Sequence, residues 1–216
     1  MDPNYKIDDP RLTRGEYWLI ESCVYSWSSL HSIFSEDYIR IYNKRNHCQT
    51  NVKLIETLSR LVNGGILFLR CANKIATHTE PKIIEEIIKK QPHNKESTYY
   101  YGLTVEGGTL WENFAMPNWD FFIDDVGRFL ENNMYQCSIS GKCEKNVKAA
   151  YNYLEKHDYI IDKESVYWEL LTPYQANYWK EFKKGYRVTF QCTERKKTYI
   201  QPHPQDSYDR LWYAWH

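Results

Sequence analysis

The chain has 216 residues, 42% hydrophobic and 26% charged, with a formal net charge of zero. That length allows one large domain or two small ones, each able to bury a core. Neutrality weakens readings that place the chain on DNA or on an anionic membrane, and leaves local patches to decide.

Aromatic residues make up 16% of the chain, including 19 Tyr and 8 Trp. Such rings either fill two small cores or supply contact area at a binding surface. The six cysteines, Cys23, Cys48, Cys71, Cys137, Cys143 and Cys192, form no C-x-x-C pair and have no zinc-finger spacing. The acidic, proline-marked N-terminus has no apolar h-region, and no apolar run of about 18 residues occurs. These features imply free thiols in a reducing compartment, the cytoplasm, and no membrane partner.

Residues 1–15 read as a flexible arm. Trp18, Leu19, Cys23, Trp27, Leu30 and Phe34 recur at helical spacing in "EYWLIESCVYSWSSLHSIF", which predicts a helix there. Ser35 followed by Glu36 and Asp37 predicts a second helix, "EDYIRIYNK". Thr50 caps a third, "NVKLIETLSRLV", which Asn63-Gly64-Gly65 stops before the apolar strand "ILFLR". Residues 72–97 form a polar insertion. It contains the helix "PKIIEEIIKK", whose four isoleucines make one stripe and whose Glu85–Lys89 and Glu86–Lys90 pairs stand at i,i+4. "STYYYGL" predicts a strand, and Thr104 caps the helix "VEGGTLWENFA". Gly107 and Gly108 are poor helix formers, and fit if another backbone packs closely there.

Helix, helix, helix, strand, long tip, strand, helix is the order of a winged helix-turn-helix. In spacing, "LIETLSRLVNGGILFLR" and "YYYGLTVEGGTLWENF" resemble the recognition helix and wing of MarR-type regulators, with Leu103, Thr104 and Gly107 on their Leu-Thr-x-x-Gly motif. The resemblance is at fold level, covers roughly residues 16–115, and implies a DNA-binding ancestry.

The pattern L-T-x6-W-x2-F occurs twice. Leu103, Thr104, Trp111 and Phe114 recur as Leu171, Thr172, Trp179 and Phe182, each 68 residues on. Asn-Val-Lys opens both "NVKLIETLSRLV" (51–53) and "NVKAAYNYLEKHDYII" (146–148). The expected fold is therefore α+β, with two tandem winged-helix-like units packed together. Residues 16–117 form the first and 118–216 the second. "NWDFFIDDVGRFLENN" is expected as the first helix of the second unit, "MYQCSIS" as a short edge strand and "SVYWELL" as a further strand. A basic C-terminal hairpin around Tyr186, Val188 and Phe190 and an aromatic tail close the chain.

Basic residues cluster where a winged helix meets DNA: Arg40, Lys44, Arg45 and Lys53, with Gln49 and Asn51 able to read bases. Lys142, Lys145 and Lys148 stand at the equivalent place in the second copy. Lys183, Lys184, Arg187, Arg195, Lys196 and Lys197 add to them in the hairpin. The bland alternative is a solvated charged face. Asp120 and Asp124 would share a helix face near Asp125, with nothing to suggest the buried site that acid–base work needs. Glu194-Arg195-Lys196 with Asp162 is a remote nuclease pattern. No P-loop, G-x-G-x-x-G or metal-ligand spacing appears, and no cofactor is implied.

The resulting expectation is a non-enzymatic binding protein, an immunity-type inhibitor or adaptor with a toxin or enzyme as partner. The alternative is a winged-helix transcriptional regulator that binds DNA.

Overall fold

A computed structural model describes residues 12–34, 50–71, 74–89, 99–195 and 212–213. The fold is α+β, with antiparallel sheets in two compact units. Among the described residues, the first unit takes those up to Met116 together with Asn177–Trp179. The second takes Pro117–Ala176 and those from Lys180 onward.

The first unit begins with α1 (Arg14–Glu21), which starts two residues inside the stretch expected to be a loose arm and otherwise falls where a helix is expected. Thr13 and Glu16 cap it reciprocally. The Thr13 hydroxyl accepts from the Glu16 N–H, and the Glu16 carboxylate accepts from the Thr13 N–H. The single helix expected over 16–34 breaks at Ser22, because serine side chains there bond to backbone instead. Ser22 Oγ donates to the Leu19 carbonyl at 2.8 Å, and Ser28 Oγ to the Ser22 carbonyl at 2.5 Å. Strand β1 (Ser28–Ser29) and the short α2 (Leu30–Phe34) follow. The expected helix at 36–44 lies outside the described residues.

Thr50 caps α3 (Asn51–Asn63), which buries Leu54, Leu58, Leu61 and Val62 and ends at Gly64. Gly65 takes a φ of 73°, the left-handed turn that glycine adopts without strain. Arg60 of α3 pairs with Glu16, tying this helix to α1. Strands β2 (Leu67–Cys71), β3 (Lys74–Ala76) and β4 (Tyr99–Leu103) complete a sheet ordered β1-β4-β2-β3. Between β3 and β4, α4 (Pro81–Lys89) lies on α3 beside a clasp in which Asn63 holds both backbone groups of Thr79. Its four isoleucines do not form one buried stripe. Ile84 is buried, while Ile83 is exposed.

At the wing-like stretch, Thr104 caps α5 (Val105–Ala115) by accepting from the Gly107 N–H at 3.0 Å. Its hydroxyl also donates to the Gly65 carbonyl at 2.6 Å. The two glycines are required by packing. A Cβ on Gly107 would collide with the Ile66 carbonyl, and one on Gly108 with the ring of Trp179. Trp179 meets Trp111 edge-on at 6.1 Å and donates its Nε1–H to the Val24 carbonyl at 2.9 Å. Tyr178 OH donates to the Cys23 carbonyl and accepts from the Leu103 N–H, both at 2.6 Å.

The second unit is a four-stranded sheet with one helix on one face. In the order β5-β6-β10-β7, its strands are β5 (Ile123–Phe129), β6 (Met134–Gly141), β10 (Gly185–Glu194) and β7 (Tyr159–Leu171). The helix, α6 (Glu144–His157), presents Val147, Ala150, Tyr151 and Leu154 to Cys137, Ile139, Ile161, Val188, Phe190 and Cys192. A small hairpin, β8 (Tyr174–Gln175) with β9 (Glu181–Phe182), precedes β10. Trp119, Phe122, Phe182, Trp212 and Tyr213 make a separate aromatic cluster, with Trp119 and Trp212 centroids 4.7 Å apart.

This arrangement corrects the repeat. The helix expected over 118–133 is a turn followed by β5, because pairing with β6 along seven residues outweighs local propensity. Asp120 and Asp124 therefore share no helix face. "MYQCSIS" is an interior strand, and residues 185–194 are a central strand rather than a hairpin of their own. Thr172 caps nothing: Pro173 follows through a cis peptide, then β8. Trp179 packs in the first unit, not in a second core. The second unit is thus a sheet-and-helix layer, not a second winged helix.

Candidate functional site

Side chains alternate across the second unit's sheet, so one face carries α6, while the other takes the buried Tyr174 of the β8–β9 hairpin at its Ser140 end, where the ring stands against Gly185. Register sets three rows on this second face. Asp124, Ser140, Arg187 and Glu169 form the first; Val126, Ser138, Thr189 and Tyr167 the second; Arg128, Gln136, Gln191 and Asp162 the third. Arg187 donates to Glu169 at 3.2 Å, which spends its charge within the row. Burial and the neighbouring Asp125 push the Asp124 carboxyl up, against the pull of Arg187.

At one edge of this sheet stands β7, thirteen residues long. Among the described residues no strand pairs with its outer edge. The strand bulges between Asp162 and Tyr167: Ser165 Oγ donates to the Asp162 carbonyl and accepts from the Gln191 N–H. Beyond the bulge, Tyr167-Trp168-Glu169-Leu170-Leu171 runs straight against β10. Tyr167 is 63% exposed, Leu170 58% and Trp168 38%. Trp168 packs on Tyr151 at 5.7 Å with Lys148 over its ring, which pre-orders it without covering it. An edge with a free row of N–H and C=O groups and apolar side chains on both faces is a template for another strand. The Asp162–Ser165 bulge and the Lys163–Glu155 ion pair protect the middle of β7, leaving 167–171 as its open part.

The basic residues singled out in the sequence are scattered. Asn51 and Lys53 are exposed at the start of α3, beside exposed Val52. Arg40, Lys44, Arg45, Gln49, Lys196 and Lys197 lie outside the described residues. Lys142 pairs with Asp120 at 2.8 Å and Lys148 with Glu144 at 2.5 Å. Arg195 donates to the Tyr159 and Glu155 carbonyls, fastening the end of β10. Lys145, Lys183 and Lys184 are exposed. Among the described residues no group of three His, Cys, Asp or Glu side chains could hold a metal ion, and no helix is long and apolar enough to cross a membrane.

Sequence reasoning missed the open edge of β7. "YWELL" was legible as a strand, but which strand would stand at the edge depends on pairing over long range. Compared with known proteins, the chain matches no family model, no curated protein and no solved structure.

Proposed function

We propose that the chain is a non-enzymatic binding protein that captures a protein partner along the outer edge of β7, as an immunity-type inhibitor or an adaptor does. The observation that carries this is the run Tyr167–Leu171, an unpaired edge with exposed Tyr167 and Leu170 and a pre-ordered Trp168. Backbone pairing along the edge would supply affinity, and the alternate side chains would supply selectivity. Tyr and Trp are the residues that most often dominate such contacts.

The test uses the full chain as bait in an extract of its own cells, with Leu170→Lys and Tyr167→Lys beside the wild type. A partner retained by wild type should lose about tenfold or more in affinity for each variant, with circular dichroism unchanged. Equal retention by the wild type and both variants would remove β7 as the binding edge.

The second reading is a winged-helix DNA-binding regulator. It is supported by the first unit's order, in which β1 lies beside β4 and β4 beside β2 after α3, and by the exposed Asn51, Val52 and Lys53 on that helix. A mobility shift on duplex DNA that weakens steeply with salt and disappears in Lys53→Glu would favour it over the first reading.

A further inference from the structure

The second unit holds a pair of thiols that neither binding reading uses. Cys137 on β6 and Cys192 on β10 project toward α6, and their Sγ atoms are 3.3 Å apart. In register, Cys137 stands opposite Phe190 and Cys192 opposite Tyr135, so the two are diagonal neighbours across adjacent strands. As buried small side chains they would be ordinary core. Two further observations take them beyond that. Cys137 lines a cavity of about 280 Å3, bounded also by Asp125, Leu154, Asp158, Tyr159 and Glu194. Directly opposite Cys137 on β5 is Gly127, an exposed residue with no side chain to cover the thiol. Even an added Cβ there would lie 3.8 Å from the Cys137 Sγ. Glycine is unfavourable inside a strand, and here it leaves the path from the cavity to sulfur open.

We propose that Cys137 and Cys192 are a reversible disulfide site, oxidised through this cavity by a small cationic aminothiol disulfide. The Cys137 thiolate attacks one sulfur of the reagent, its S–S bond breaks, and one aminothiol leaves. Cys192, deprotonated in turn, attacks Cys137 Sγ and expels the second. The balance is one protein dithiol plus one reagent disulfide giving one protein disulfide plus two aminothiols. The two Sγ atoms close from 3.3 Å to the roughly 2.05 Å of a disulfide bond. Asp125, Asp158 and Glu194 at the cavity select the reagent's charge: they attract a cation and repel an anionic disulfide. Burial pushes the Cys137 thiol up, against its hydrogen bond with Cys192 and with Asp125 adding to the rise; burial, then the Cys137 thiol and Glu194, push Cys192 up to about 12. The exchange therefore quickens as pH rises.

The test treats the native full chain with cystamine or with oxidised glutathione, followed by trypsin without reductant. Cystamine should join peptide 129–142 to peptide 188–195, about tenfold faster than oxidised glutathione. Trypsin cuts after Lys142, so Cys143 falls in a separate peptide. Cys192→Ser should stop at a mixed disulfide on Cys137, and Gly127→Val should slow the reaction with circular dichroism unchanged. Joined peptides that appear only in urea, a crosslink to Cys143 instead, or equal rates for the two reagents would overturn the proposal.

Discussion

Residues 103–114 and 171–182 share Leu, Thr, Trp and Phe at the same spacing and fold differently. In the first, Thr104 caps a helix and Trp111 enters a core. In the second, Thr172 precedes Pro173 and a two-stranded hairpin, with Asn177–Trp179 between its strands. The difference lies in what each segment meets. Gly107 and Gly108 let α5 approach the Ile66 carbonyl and the Trp179 ring, whereas Gln175 and Ala176 stand at the matching places of the second segment. Asn177, Tyr178 and Trp179 bond instead to the backbone of Cys23, Val24 and Leu103. Four matching letters define a local preference, and tertiary hydrogen bonds override it.

The largest effect that would sharpen this contrast comes from the two tryptophans. Read as equivalents, Trp111 and Trp179 would sit in separate cores. In the structure they pack on one another in one unit. Trp111→Ala should cost about 3–5 kcal/mol of unfolding free energy in urea, since the side chain is fully buried. A double-mutant cycle with Trp179→Ala should show coupling of about 0.5–1.5 kcal/mol. Additive losses would restore the idea of two independent cores.

The first unit was the more legible of the two. Thr50 and Thr104 as caps and Gly64-Gly65 as a stop are local signals, and the structure uses them as read. In the second unit the β5–β6 hairpin carries one local signal. Asn132 and Asn133 take φ of 54° and 60°, a two-residue turn that closes the β5–β6 hairpin. Asparagine tolerates the positive φ that such a turn needs at both central positions, and the pair stands at the end of the stretch whose pattern predicts a helix. Other features had no local signature. The nearness of Cys137 and Cys192, 55 positions apart, and the edge position of β7 both follow from strand order, which residue spacing does not encode.

The units should also separate by pH. Burial pushes the Glu21 carboxyl in the first unit up to about 7 from an ordinary 4.5, although Tyr17 OH donates to it at 3.2 Å. The folded state then holds a proton that the unfolded chain releases. Stability from this group is complete below pH 4.5 and is lost as pH rises through 7. The loss is on the order of 3 kcal/mol. Glu21→Gln should flatten the stability profile across that window, and an unchanged slope would show that Glu21 is solvated.

Next in size come the glycines. Alanine is the better helix former by about 1 kcal/mol, so propensity alone predicts that Gly107→Ala and Gly108→Ala stabilise α5. Packing predicts the reverse sign, a net loss of about 1–3 kcal/mol, because the Ile66 carbonyl is backbone and the Trp179 ring is held by its own hydrogen bond. Gln175→Ala, at the exposed position matching Gly107, should stay within about 0.5 kcal/mol. Stabilisation by either glycine replacement would mean that α5 stands further from its neighbours than the structure places it.

The smallest effect is the most direct comparison of the two segments. Thr104 and Thr172 are the same residue after the same leucine, so a sequence rule assigns them one value. Thr104 accepts from Gly107 and donates to Gly65, joining the start of α5 to the end of α3. Thr104→Ala should therefore cost about 1–2 kcal/mol, and Thr104→Ser should recover most of it because the hydroxyl remains. Thr172 is exposed and starts no helix, so Thr172→Ala should change stability by less than about 0.5 kcal/mol. Equal losses at the two sites would show that residues 172–182 carry a capped helix in solution, and the recurrence at 68 residues would then describe structure as well as sequence.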